Sequence, residues 1–218
     1  MPIYSHQEIE EGGIVIWRIE ETSDALYSLL DTSCYDAMLA AISHEARRAE
    51  WLAVRVLIAQ TLGADKVVAY HPSGCPYLTD GSYHISISHT KGYAAVAYHR
   101  CRVIGVDIEH IAPRVLRIAH RFTHPDESLY IDRCGAEEKL KHLLVNWSTK
   151  ETLFKLLDNS SASDFRETFR VCPYELEQYG VLSVHISLSA LPESMQSVFY
   201  RQYPDFVCTW AVRSSSVN

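Results

Sequence analysis

The sequence predicts an α+β fold, and three observations lead there. Short β-branched or alternating runs with brief connections mark antiparallel strands. Two longer stretches carry apolar positions at helical spacing and end at stop signals. Helix followed by strands occurs in each half of the chain, which suggests an internal duplication, although no fixed-period repeat is visible.

Taken in order, residues 14–19 are β-branched, follow Gly12-Gly13, and read as the first strand. Residues 23–30 form a short helix. Ser43 caps a longer helix that runs to Leu62 and stops at Gly63. Trp51, Leu52, Val56 and Ala59 give that helix an apolar face, and Arg47, Arg48 and Arg55 are its cations. Residues 66–70 are a strand. His71-Pro72-Ser73-Gly74-Cys75-Pro76 is a loop, being dense in turn formers. Residues 83–89, 93–98 and 103–109 follow one another with short connections, which predicts an antiparallel meander. Residues 113–122 are helical, with Arg114, Arg117 and Arg121 forming a basic ridge. Pro125 opens a short helix to residue 133, and Gly135 separates it from a long helix over 137–157. The polar run 158–163 is a hinge. Strand-like runs follow at 169–172, 181–188 and 206–212.

Composition narrows the function. The chain has 218 residues and is 47% hydrophobic, enough for a sizeable core as one domain or two lobes. A formal net charge of -7 argues against a nucleic-acid or anionic-membrane binder. Cys34, Cys75, Cys101, Cys134, Cys172 and Cys208 are widely spaced with no C-x-x-C, which argues against a zinc ribbon or a thioredoxin-like motif. Residues 1–11 lack the basic start and apolar run of a signal peptide. The apolar helical run 51–59 is interrupted by Arg55 and is too short to cross a membrane. Free thiols without an export signal lead us to expect a cytoplasmic protein.

Asp107 and Glu109 are two apart on a predicted strand, so they share one face while Val106 and Ile108 take the other. Neighbouring carboxylates disfavour each other's ionisation, and a divalent cation relieves that cost. Oxygen donors without cysteine suit Mg²⁺ better than Zn²⁺. The plain alternative is the solvated face of an edge strand. On the long helix, Leu140, Leu144, Trp147, Glu151 and Phe154 fall on one stripe. Glu151 is a carboxylate on an otherwise apolar stripe and needs a partner. That partner is either Lys155, as an i,i+4 ion pair, or a metal shared with Asp107 and Glu109. Lys150 and Lys155 flank Glu151 and suit an anionic leaving group such as a phosphate, unless they are surface lysines. Ser86, Ser88 and His89 lie at a strand end. Ser88 and His89 point to opposite faces and are poorly placed to share a proton, so phosphate binding suits them better than nucleophilic catalysis. No G-x-S-x-G surrounds them. His120 and His124 are four apart, but Pro125 interrupts the helix that a zinc pair would need.

Val103-Ile104-Gly105-Val106-Asp107-Ile108-Glu109, with Trp147-Ser148-Thr149-Lys150-Glu151-Thr152-Leu153-Phe154-Lys155 further on, resembles the signature pair of the 4'-phosphopantetheinyl transferase superfamily. Ile85-Ser86-Ile87-Ser88-His89-Thr90 resembles its middle motif. The D-x-E form and the length resemble the monomeric surfactin-synthetase-activating type. The resemblance covers residues 45–157 and implies two similar α/β halves related by pseudo-twofold symmetry. These would be 1–102 and 103–218, with coenzyme A and the active site in the cleft between them. It implies Mg²⁺ held by Asp107, Glu109 and Glu151, with Asp107 beside the coenzyme A diphosphate. Ser88 and His89 would contact the nucleotide, His89 at the 3'-phosphate. Lys150 and Lys155 would lie along the diphosphate, Gly74 and Pro76 would offer loop contacts, and Arg48 or Arg55 would bind a phosphate. Cys75 stands where relatives often carry a lysine, so one phosphate contact is missing.

The implied reaction moves the 4'-phosphopantetheine arm of coenzyme A to a serine of an apo acyl or peptidyl carrier protein and releases adenosine 3',5'-bisphosphate. Glu151 would be the base, and Lys155 would act on the leaving phosphate. Carrier proteins are usually acidic, which makes Arg114, Arg117 and Arg121 the candidate docking face. Both halves on one chain imply a monomer. Two other readings stand beside this one: a non-catalytic coenzyme A or nucleotide-binding protein, and a Mg-dependent diphosphate hydrolase that uses the same carboxylates on water.

Overall fold

The structure, a computed structural model, describes residues 3–30, 35–157, 164–188 and 193–214. Its first strands are a hairpin of β1 (Ile3–Ile9) and β2 (Gly12–Arg18). Helices α1 (Ser23–Tyr27), α2 (Asp36–Ala40) and α3 (Glu45–Leu62) follow. A short hairpin, β3 (Val68–Tyr70) and β4 (Pro76–Leu78), precedes β5 (His84–Thr90), β6 (Tyr93–His99) and β7 (Ile104–His110). Then come α4 (Arg114–Phe122), α5 (Pro125–Ile131), α6 (Ala136–Leu156) and α7 (Phe165–Thr168). The chain closes with β8 (Phe169–Val171), β9 (Tyr179–Ile186), β10 (Ser194–Gln202) and β11 (Phe206–Val212). The fold is α+β. One antiparallel sheet has the order β1-β2-β6-β5 and is backed by α3; the other has the order β7-β11-β10-β9-β8 and is backed by α6.

The expected meander breaks at β7. β6 pairs with β5 on one edge and β2 on the other, so no edge is left for β7, which pairs with β11 instead. The chain turns away after β6 because His99 Nδ1 accepts the backbone N–H groups of Cys101 and Arg102. Three strands were not foreseen, one of them the short β4 after the Gly74 loop. β1 is a mostly polar edge strand, and β10 alternates Gln196, Val198 and Tyr200 inward with polar or exposed residues between them. The residue at the cap of α3 is His44, not Ser43, and no side chain caps that helix. Its stop at Gly63 is as expected, with φ of 127° that favours glycine. The expected hinge at 158–163 lies outside the described residues.

Period-two alternation on β7 decides what meets what. Ile104, Val106 and Ile108 join Ile14, Ile16, Ala95, Phe206, Cys208 and Trp210 in a core shared by the two sheets. Gly105, Asp107 and Glu109 face the other way, towards α6. The helix comes so near that a Cβ on Gly105 would stand 2.5 Å from the carbonyl oxygen of Thr152, so only glycine fits. β5 runs beside the remaining edge of β7 and bonds it through side chains. The hydroxyls of Ser86, Ser88 and Thr90 accept the N–H groups of Val106, Ile108 and His110 at 3.0, 3.2 and 3.1 Å. These bonds satisfy backbone donors on that strand and stitch the two sheets together. Among the described residues no helix is long and apolar enough to cross a membrane, and Cys101, Cys134, Cys172 and Cys208 are free thiols.

Candidate active site

Helix α6 carries the site, though not by its innermost face. Val145, Ser148, Thr149, Thr152 and Leu156 are buried. Of the expected stripe only Leu144 is fully buried, while Leu140, Trp147, Glu151 and Phe154 are half-buried along the helix edge. The close approach at Gly105 explains this, because small hydroxyl residues fit against the sheet where larger apolar ones would not.

Asp107 is 5% exposed and held from three sides. Its Oδ1 accepts from Ser88 Oγ and from Lys155 Nζ, both at 2.9 Å. Its Oδ2 accepts from Ser148 Oγ at 2.8 Å. Ser148 Oγ also meets Thr209 Oγ1 at 3.0 Å, and Thr209 meets Thr152 Oγ1 at 2.6 Å, so a chain of hydroxyls backs the carboxylate. Glu109 Oε1 accepts from Trp147 Nε1 at 2.8 Å. Lys155 also donates to the Val106 carbonyl at 3.0 Å. Its ammonium therefore serves β7, and the i,i+4 ion pair with Glu151 does not form.

Glu151 is left without a hydrogen-bond or ion-pair partner among the described residues. Burial first and the Asp107 charge second push its pKa to about 7, Glu109 adding to the rise and Lys155 opposing it. Glu109 also titrates above the ordinary glutamate range, because of burial and then Asp107. These two shifts record uncompensated negative charge among three oxygen-donor side chains, and that donor set fits Mg²⁺. The oxygens of Asp107, Glu109 and Glu151 do not all lie within 4.8 Å of one another; Lys155 holds Asp107, and Trp147 holds Glu109.

Lys150, expected along a diphosphate, is instead fully buried on another side of α6. Its ammonium lies 2.9 Å from Glu127 Oε1 and donates to Glu127 Oε2 at 3.0 Å and to the Phe122 carbonyl. Glu127 also accepts the N–H groups of Val171 and His124. This pair clamps α4, α5, α6 and β8 together.

Two adjoining cavities of about 500 Å³ each share Gly74, Pro76 and Ile87. The first is walled by Arg47, Arg55, Tyr70 and His89. Arg55 is 3% exposed, with Cζ 3.5 Å from the Trp51 ring centroid and Nη2 donating to Tyr70 Oη at 3.0 Å. Its Nε has no hydrogen-bond partner. Arg48 does not line this cavity. Of the two expected alternatives, then, Arg55 is the one at the cavity, and Arg47 joins it. His89 is exposed and lies 3.4 Å from Glu50. Ser88, expected at a nucleotide, is 7% exposed and spends its hydroxyl on Asp107 and the Ile108 N–H. The second cavity is lined by Cys75 of the β3–β4 connection and by Lys155, Leu156 and Arg213. Lys155 thus joins it to Asp107. Arg114, Arg117 and Arg121 are exposed along α4, and none has an ion pair among the described residues.

Sequence reasoning missed Trp147 as a donor to Glu109, and Ser148 with Thr209 as the hold on Asp107. The available signal was the run of small polar residues inside an apolar helix, because buried hydroxyls need partners.

The family model of the 4'-phosphopantetheinyl transferase superfamily matches residues 103–210, which contain β7, α6 and β11 and hence all three carboxylates and Lys155. A Synechocystis sp. protein named "Putative 4'-phosphopantetheinyl transferase slr0495" is 29% identical over 112 residues. That alignment covers 48% of this chain and 46% of the relative, so it spans about half the length of each. With the matched segment carrying the D-x-E strand and the helix that faces it, the chain belongs to the 4'-phosphopantetheinyl transferase superfamily.

Proposed function

We propose that the protein transfers the 4'-phosphopantetheine arm of coenzyme A to a serine of an apo carrier protein, as a monomeric enzyme of the surfactin-synthetase-activating type. The observation that carries this reading is the position of Glu151, a carboxylate without a hydrogen-bond or ion-pair partner among the described residues, beside Asp107 and Glu109. A half-buried carboxylate that no side chain among the described residues claims is available both to a cation and to the proton of a serine.

Asp107, Glu109 and Glu151 would hold Mg²⁺, which when bound supplies positive charge to the diphosphate. Ser88, Ser148 and Lys155 fix the Asp107 carboxylate. Arg55, Arg47 and His89, with the Gly74 and Pro76 backbone, offer phosphate contacts in the first cavity. Glu151, directly or through a water, takes the proton of the carrier serine as its oxygen attacks phosphorus. The bond from that phosphorus to the leaving oxygen breaks, and Lys155 stabilises the phosphate of the departing adenosine 3',5'-bisphosphate. Lys150 takes no part, because its ammonium is closed off by Glu127. The halves 1–102 and 103–218 meet at the cleft, and Arg114, Arg117 and Arg121 form the docking face for an acidic carrier.

The test is an intact-mass assay with purified protein, coenzyme A, Mg²⁺ and apo carrier. A carrier that gains the arm supports the proposal. Coenzyme A cleaved without carrier modification overturns it in favour of a hydrolase, and binding with neither product overturns it in favour of a binding protein.

A further inference from the structure

The corner between α5 and α6 gathers a second set of metal-ligating side chains. Glu138 and His142 are four apart on α6 and share a helix face, and Cys134 sits just before Gly135, the N-cap of that helix. One donor atom from each lies within 4.8 Å of the others: Sγ, a carboxylate oxygen and a ring nitrogen. Glu138 and Glu151 are ~20 Å apart along the helix at its usual rise, so this set is separate from the carboxylate site.

His142 supplies the independent observation. It is 2% exposed, and its Nδ1 is buried with no hydrogen-bond partner. Its Nε2 stops 4.0 Å from Glu138 Oε1, beyond hydrogen-bond reach. The rings of Tyr174 and Tyr130 wall it in at 4.8 and 5.7 Å. A buried ring nitrogen without a hydrogen-bond partner is costly. Cys134 is half-buried, with Sγ 3.5 Å from the Tyr130 carbonyl, and Glu138 is exposed. The group is therefore closed by protein on the imidazole side and open to water on the carboxylate side.

We propose that Cys134, Glu138 and His142 form a binding site for a borderline divalent cation of the Zn²⁺ class. Sulfur, nitrogen and oxygen donors select such an ion over Mg²⁺, and three protein ligands leave one tetrahedral position for water. Binding expels the Cys134 thiol proton to solvent and ties the α5–α6 corner to the helix that carries Glu151.

The experiment titrates chelator-treated protein with Co²⁺ in excess Mg²⁺. One equivalent should give thiolate-to-cobalt charge-transfer absorption together with the visible bands of a four-coordinate ion, and Zn²⁺ should displace it. Cys134→Ser should abolish the charge-transfer absorption, and Glu138→Gln should weaken binding about tenfold. Both side chains lie outside the buried core, and unchanged melting without metal checks that the variants fold. Asp107→Ala should keep the absorption. Wild-type protein without it, or absorption that survives Cys134→Ser, would overturn the proposal.

Discussion

A carboxylate with two carboxylates nearby and no hydrogen-bond partner among the described residues is poorly stabilised as an anion, and Glu151 is that residue. Its folded pKa is raised to about 7 from the ordinary glutamate value. Between those two values the folded protein binds more protons than the unfolded chain, so stability falls as pH rises through that window. Glu151→Gln removes this cost. Without Mg²⁺, the variant should be more stable than wild type by on the order of 2 kcal/mol at pH 8 and about equal at pH 4. Melts at the two pH values measure this, and equal gains at both would place the effect elsewhere. The same change should lower turnover at least ~100-fold while coenzyme A affinity shifts far less. Asp107→Ala should abolish turnover, because Ser88, Ser148 and Lys155 then hold nothing; wild-type rates would remove Asp107 from the site. The strand period put Asp107 and Glu109 on one face, but it was the resemblance of the motif pair to a known family, not periodicity, that joined Glu151 to them. The chain's use of Ser88 was not legible in the sequence, since one hydroxyl serves a phosphate or an aspartate equally well and only β7 beside it decides.

Helix α6 separates two lysines that look alike in sequence. Lys155 reaches Asp107 at the cleft, whereas Lys150 is sealed against Glu127. Burial alone lowers the Lys150 pKa, and the Glu127 carboxylate opposes that shift. Removing one member of a buried ion pair leaves the other charge uncompensated. Lys150→Ala should therefore destabilise the protein by about 3–5 kcal/mol in urea unfolding, with coenzyme A affinity of the folded fraction unchanged. Lys155→Ala should do the reverse, losing turnover with a smaller change in stability. A Lys150 variant of normal stability that binds coenzyme A poorly would return that lysine to the diphosphate. Sequence could not foresee this because Glu127 sits on a separate short helix, and a pairing across elements leaves no local pattern. The same holds for the strands. β7 and β11 were visible from their β-branched runs, but β2 as the second neighbour of β6 was not, and it is β2 that forces β7 into the other sheet.

At the scale of the molecule, charge has to work locally. The chain carries -7, so its average field repels an acidic carrier protein. The exposed cations on α4 follow β7 directly, and Arg114 is close enough to oppose the raised pKa of Glu109. A carrier held along Arg114, Arg117 and Arg121 would bring its serine to the carboxylates without crossing the acidic remainder of the surface. None of the three arginines has an ion-pair partner among the described residues, so none must be released before docking. Rim charges of this kind act mainly on association and are screened by salt. Reversing Arg117 and Arg121 to glutamate should raise the carrier KM about tenfold at low ionic strength. The gap should narrow as salt is added, and coenzyme A affinity should stay the same, because neither side chain lines the two cavities. Steady-state kinetics at two salt concentrations with one apo carrier measure all three outcomes. A carrier KM that does not move would show that α4 is only a solvated face and that the carrier approaches from another side of the cleft.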